Sequence, residues 1–517
     1  MIFSLVILFL ISRLSRARNT RPDFYTGDRA FTAPQNGLAL FGTFMMMTSF
    51  LTLGDGIASS GYDGVLPVAG FAVSWLTALL LVAEPLRNTG GYTLGDALSV
   101  RMRARPVRLA AAVVTLVVFV LYMTGQLVAA SGLLALLIGL GGPAGQALII
   151  ATIIGVTLLT VYHAGMRGTT WTQIINALLL FTAVALLAYT LLSSHRLDAS
   201  TLLGDATTRL PAPDLLESLS GLLTTVLGHA VLPYLFIRFL TVPDAKHARR
   251  SVSWAIWLTT PYSLLIVLIG LGAAALEKRA GEASPLVVAL AEGPVLVFVA
   301  SVVFTTIIGL TAGLALSAGA SFTRDVYTNL IGRGPLDEAR EIAVARRTVV
   351  VLCLLPAVGA IFLMRQNVTF MLSLGITLAA STILPTLLYA WFWRGFNTVG
   401  ALWSMYGGAA VTTVLVVFSP AVSGDPLALL PGADFALFPW RHVGVVSIPL
   451  AFLLGYAGAK ARGERDDVRF AEMEVRALTG AGAAKAVPRD PDDVVPWTGK
   501  LPWGRRRPLR PPGRGGS

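Results

Sequence analysis

Cysteine is nearly missing from this chain, which carries one, Cys353, in 517 residues. A lone thiol excludes an internal disulfide and any metal site built from several thiolates. Charge is also scarce. Asp, Glu, Lys and Arg make up 13% of the residues, where soluble domains carry about 25%. The nucleotide and metal signatures are absent too: there is no GxxxxGK[ST] loop, no HExxH, no EF-hand loop and no kinase signature. Any uphill work must therefore draw on an ion gradient rather than on ATP. A nucleic-acid partner is excluded as well, because no basic stripe is interleaved with exposed aromatics on a soluble surface.

What the chain has instead is apolar sequence, 55% of its residues. Thirteen segments stand out, at 1–12, 36–61, 67–84, 109–138, 144–162, 171–193, 221–240, 254–277, 295–323, 347–364, 369–393, 399–420 and 443–460. Of the 40 Lys and Arg residues, 34 lie in or beside the odd-numbered gaps and the carboxyl tail. Moving positive charge across a bilayer is costly, so this asymmetry predicts an outside amino end and a cytoplasmic tail. The net charge of +12 then faces anionic headgroups of the cell membrane.

Both ends depart from this pattern. Segment 1–12 would be about 18 Å long as a helix, short of the roughly 30 Å hydrocarbon core. It reads as a helix shortened by a misplaced start, followed by a basic inner loop to residue 35. Residues 461–517 are charged, then rich in Pro, Gly and Arg, a composition that predicts a disordered cytoplasmic tail.

Between the ends the segments fall into two sets of five, at 36–193 and 221–393, separated by an outer loop at 194–220. Two further helices follow at 394–460. Because five is odd, the two sets have opposite orientation. That is the geometry of inverted-repeat transporters, whose site lies mid-membrane at breaks in the first helix of each repeat. The expected weak points are Gly42 and Gly54-Asp55-Gly56 in the first set, and Gly228 and Pro233 in the second.

Several stretches together resemble the sodium:solute symporter family, and within it the cation/acetate symporter branch. They are DFYTGDRAFTAPQNGLAL, SSGYDGVLPVAGFAVSW, AEPLRNTGGYTLGDALSVRMR, GMRGTTWTQIINALLLF, RFLTVPDAKHARRSV, GLTAGLALSAGASFTRDVYTNL and NVTFMLSLGITLAASTILPTLLYAWFW, spread over residues 23–460. The resemblance implies an all-α polytopic membrane protein of about thirteen transmembrane helices, with a LeuT-type core of five plus five. It implies a symporter and not an enzyme, with Na+ as the coupling ion, no other cofactor, and a small monocarboxylate such as acetate as substrate. Proton coupling, a proline-like solute and a membrane sensor that binds without transporting stay open beside it.

The resemblance also assigns residues. Sodium would be held by freed carbonyls of Gly42 and Met45. The positions hydroxylated in proline- and sugar-transporting relatives fall on Gly309 and Leu310, which have no side-chain oxygen. Thr306, flanked by Thr305 and Thr311, is the hydroxyl one turn away; all three may equally bond back to their own helix, as Thr does in membranes. Asp55, roughly 10 Å inside the outer end of its segment, is either a proton carrier or a solvated vestibule residue. For the substrate, Thr48, Ser49 and His229 are candidate donors beside the breaks. Gln126 is a mid-membrane amide, Phe71 and Trp75 are candidate walls, and Gly228 gives access to the second break. Packing roles are the alternative for each of these. Arg238 reads as a headgroup anchor or a gate pairing with an acidic loop residue.

Overall fold

The computed structural model describes residue 15 and residues 20–45, 53–54, 56–57, 64–195, 215–280, 293–331, 336–364, 366, 368–425, 428–430, 432–462 and 466–481. Among these, every extended element is helical, and β pairing is confined to an isolated bridge between Ser423 and Leu430. A short α1 (Arg21–Thr26) leads into α2 (Ala33–Phe44), which Thr32 and Gln35 open as a capping box. There follow α3 (Val65–Thr89), α4 (Leu94–Ser99), α5 (Ala104–Ile138) and α6 (Gly142–His195). The second set comprises α7 (Leu215–His229), α8 (Pro233–Phe239), α9 (Ala245–Ala280), α10 (Gly293–Ser321), α11 (Glu338–Phe362) and α12 (Val368–Phe392). Then come α13 (Thr398–Val417), α14 (Gly444–Arg462) and α15 (Asp467–Thr479). Among the described residues, ten helices are long and apolar enough to cross a membrane.

One of these, α6, contains two of the expected segments. No loop separates them; the helix turns at Gly165, where φ is 51° and ψ is −146°. Only glycine tolerates that conformation cheaply, and Thr169 and Thr170 donate back to the Gly165 and Met166 carbonyls so that the ladder resumes at once. The residues expected as an inner loop are therefore helical.

Both first helices break. At the end of α2, Met45 N donates to Phe41 O and the backbone turns extended (φ −89°, ψ 101°). The Met45 bond closes the helical ladder of α2 among the described residues. In the second set, α7 stops at His229 and α8 starts at Pro233 with Leu232 extended. Proline has no N–H to lose at a helix start.

The end of the bundle that carries Arg21, Arg108 and Arg324 is tied by buried ion pairs. Arg108 reaches Asp96 at 2.7 Å and Asp325 at 2.9 Å, while Arg324 reaches Asp96 at 3.2 Å and Glu341 at 3.0 Å. Arg21 adds Glu341 at 2.8 Å. The belt thus joins α1, α4, α5, α11 and the turns Phe322–Ile331 that prolong α10. Burial alone would raise the Asp96 carboxyl, but Arg324 and Arg108 hold it well below the usual carboxylate range. Arg101 donates to the carbonyls of Ala390, Trp393, Arg394 and Phe396, satisfying the free end of α12.

The expected disorder beyond residue 461 is corrected in part. Asp467–Thr479 is a helix whose Phe470, Met473 and Ala477 are buried, and Asn88 donates to Ala477 O at 2.8 Å. Its apolar positions recur at three and four residues, enough to dock one face although the composition is polar. Residues 482–517 and segment 1–12 lie outside the described residues.

Candidate substrate and cation site

The two breaks meet at an aromatic box. Phe44, the last residue of α2, lies 4.6 Å from Trp75, 5.3 Å from Phe71 and 5.2 Å from His229, ring centre to ring centre. Phe71 and His229 close it at 4.3 Å. The wall residues Phe71 and Trp75 and the candidate donor His229 are thus brought together, with Phe44 as a member the sequence reasoning missed. His229 Nδ1 lies 2.9 Å from Thr225 O. That bond puts the proton on Nδ1 and leaves Nε2 as an acceptor. Trp75 is buried, and its Nε1–H meets no acceptor among the described residues. A buried donor left without a partner costs about 1–3 kcal/mol, so this wall residue has an N–H to offer an acceptor.

Other candidates stand elsewhere. Gln126 bonds the Tyr122 hydroxyl, and Tyr122 stacks on Tyr234 at 5.7 Å. These tyrosines border a chamber of about 10 Å³ with Thr115, Pro233 and Ser317, room for one water. Gly228 serves packing: a Cβ there would stand 2.5 Å from Ile376 O on α12. Arg238 is neither a headgroup anchor nor half of an ion pair. It is buried, donates to Thr170 Oγ1 at 2.5 Å, and faces no carboxylate among the described residues. Thr48, Ser49 and Asp55 lie outside the described residues.

The cation candidates surround a junction of α2, α6 and α10. Thr305, Thr306 and Thr311 are buried and donate back to their own helix, Thr306 to Val303 O at 3.0 Å. Thr311 also shares a 2.6 Å bond with Thr157 on α6. A hydroxyl that donates backward keeps lone pairs for a ligand, so the Thr306 oxygen stays available. The surroundings of Gly309 differ from what a sodium cage requires. Gln173 Nε2 donates to Gly309 O at 2.9 Å, and Asn176 Nδ2 donates to Thr305 O at 2.9 Å. A Cβ on Gly309 would stand 2.4 Å from Asn176 Nδ2, and one on Gly42 would stand 2.2 Å from Gln173 O. Amide nitrogen thus occupies the space where a hydroxyl-bearing side chain would project. Two amides three residues apart in the apolar run TWTQIINALLLF share a helix face; that spacing was the signal available in the sequence.

Comparison with known proteins follows from this geometry. Residues 24–408 match the model of the sodium:solute symporter family. A monocarboxylic acid transporter of Corynebacterium glutamicum is 39% identical over 523 residues, covering 94% of this chain and 95% of the relative. An uncharacterized symporter, YwcA, of Bacillus subtilis is 36% identical over 505 residues, covering 92% and 96%. Among solved structures, a Na+-coupled sialic acid symporter in a substrate-bound outward-open state superposes with a TM-score of 0.73 at 15% identity, covering 90% of this chain and 97% of that one. A nucleobase-cation-symport-1 family transporter in a closed conformation gives 0.55 at 14% identity, covering 89% and 99%. These likenesses carry the LeuT-type fold. With the family model spanning most of the membrane domain, the chain is a multi-pass membrane protein that belongs to the sodium:solute symporter family.

Proposed function

We propose that this chain is a secondary symporter that takes a small monocarboxylate such as acetate into the cell together with a cation. The observation that carries the substrate reading is the box at the two helix breaks. A carboxylate oxygen would accept from Trp75 Nε1–H, which meets no acceptor among the described residues, while a short alkyl group would rest on the faces of Phe44 and Phe71. Among the described residues the box carries no Lys or Arg to attract a dianion. The name of the Corynebacterium relative supports the same class. We place the protein in the cell membrane, amino end outside and tail inside, on the charge asymmetry.

For the coupling ion, the family points to sodium held by the Gly42 and Met45 carbonyls and the Thr306 hydroxyl, with Thr305 and Thr311 beside it. A specific observation favours a second reading, proton coupling: the junction already contains amide donors on α10 carbonyls. Reconstituted protein should concentrate labelled acetate only under an inward ion gradient or an inside-negative potential. Binding without accumulation would make it a sensor; accumulation of a proline-like solute but not of acetate would overturn the substrate class.

A further inference from the structure

We propose that Gln173 and Asn176 are the ion-selectivity residues of this carrier, their amide N–H groups standing in the α2–α6–α10 junction in place of a sodium ion. The inference rests on reading the chain as a cation-coupled symporter and says which cation the junction is built to exclude: sodium.

α2 ends at Met45 with its backbone turning extended, and the buried carbonyls of the junction need donors or a cation. In α10 the Thr305 and Gly309 carbonyls each accept a second bond, from Asn176 and Gln173 at 2.9 Å. Those two bonds also fix how the amides face. Were either amide flipped, its oxygen would confront a carbonyl oxygen, so the NH2 groups are held against α10. Each NH2 presents positive hydrogen, which repels a metal cation where the carbonyls would attract one.

Space gives the same answer independently. Asn176 Nδ2 stands 2.4 Å from where a Gly309 Cβ would be, so a side chain at 309 requires the Asn176 amide to swing aside and give up its bond to Thr305 O. Gly42 presses as closely on the Gln173 backbone, so α2 cannot retreat toward α6 to make room. Gln173 and Asn176 are both fully buried, and no titratable side chain among the described residues pairs with either. Gln173 Oε1 has no donor among the described residues. It is an acceptor suited to the O–H of a water or of a protonated acid, and a single neutral oxygen is a poor substitute for a cation cage.

The test uses the full-length protein, purified and reconstituted, with two readouts. In proteoliposomes, labelled acetate uptake driven by an inward pH gradient should change less than about twofold when sodium is replaced by choline, a difference of under one hydrogen bond. In detergent, sodium should leave the melting temperature unchanged, a readout that needs no transport and so separates the ion claim from the substrate claim. Gly309→Ser alone should lower stability through the clash with Asn176. Combining it with Asn176→Ala should restore stability and create a sodium-dependent rise in both melting temperature and uptake. Because the serine variant may simply fail to fold, Asn176→Asp is made in parallel; a carboxylate in place of the amide should confer sodium-dependent stabilisation by itself. Sodium-dependent uptake or sodium stabilisation of the wild-type protein would overturn the proposal. So would an Asn176→Asp variant and a double variant that are both folded and both blind to sodium.

Discussion

The ion-pair belt at the Arg-rich end and the junction of α2, α6 and α10 both bury polar groups inside an apolar bundle, by opposite means. The belt uses full charges, Arg108 and Arg324 shared among Asp96, Asp325 and Glu341. The junction uses neutral amides on backbone carbonyls and glycines that let helices touch. A shared charge is costly to leave half-paired, whereas an amide can be exchanged for another donor or for a cation at small cost. The belt is therefore built for permanence, and on the proposal above the junction is where ion preference is set.

Breaking the belt should give the largest effect. Arg108→Met leaves Asp96 and Asp325 with one guanidinium, Arg324, near the first and none within ion-pair distance of the second. Removing one partner of a buried pair typically costs about 3–5 kcal/mol, so the variant should be poorly folded or melt far below wild type in detergent. The acid limb sharpens this. A carboxylate held below its unfolded value of about 3.9 stabilises the fold above that pH, and the contribution fades as pH falls through the folded value. Asp96 is so depressed, and its pairs with Arg108 and Arg324 should persist at mildly acid pH. An Arg108→Met protein with wild-type melting would show that the belt does not hold the fold.

Overpacking the junction comes second. A Cβ on Gly42 would lie 2.2 Å from the Gln173 carbonyl, which is backbone and cannot swing aside. Extra volume in a packed core costs about 1–3 kcal/mol, so Gly42→Ala should lower the melting temperature and slow uptake, as scanning fluorimetry and proteoliposome assays would record. If Gly42→Ala melts and transports like wild type, α2 and α6 are not in the close contact described.

These two regions were unequally legible in the sequence. The helical membrane bundle follows from the apolar runs and the break between α7 and α8 from the Gly228 and Pro233 signals, because the bilayer imposes length and polarity directly. Phe71, Trp75 and His229 could be chosen as site residues since polar or aromatic groups beside a break are few. Their meeting on Phe44 could not be read, because it depends on where three helices cross. Gln173 and Asn176 were passed over because amides in an apolar helix also pack without function. Gly309 and Leu310 marked missing hydroxyls, but a single chain does not reveal which distant side chain fills a vacated space. The helix at Asp467–Thr479 was hidden by a polar composition in which three buried residues, Phe470, Met473 and Ala477, are enough for docking.

The third prediction bears on the box. Trp75→Phe keeps the ring wall near Phe44 and removes a buried N–H that has no partner. Stability should hold or rise slightly, because an unsatisfied donor is lost. Acetate affinity should fall about tenfold, the equivalent of roughly 1.4 kcal/mol for one hydrogen bond to a charged acceptor. A neutral solute bound by the same box would show no such loss. Unchanged half-saturation for acetate would move the carboxylate away from Trp75.

The smallest effect is expected where charge is exposed. Arg394 forks onto Asp467 with two 2.8 Å bonds, a geometry that looks important to the docking of α15. Both side chains are half or more open to solvent, where water screens the pair and side-chain freedom is lost in forming it. The docking of α15 comes instead from Phe470 and Met473, buried against the bundle, and from the Asn88 bond to Ala477. Arg394→Ala should therefore leave melting and uptake unchanged, while Met473→Asp, which buries an unpaired charge, should release the helix to limited proteolysis between residues 462 and 479. Cleavage in the Arg394→Ala protein comparable to that of Met473→Asp would mean that the surface pair, and not the apolar face, fixes α15.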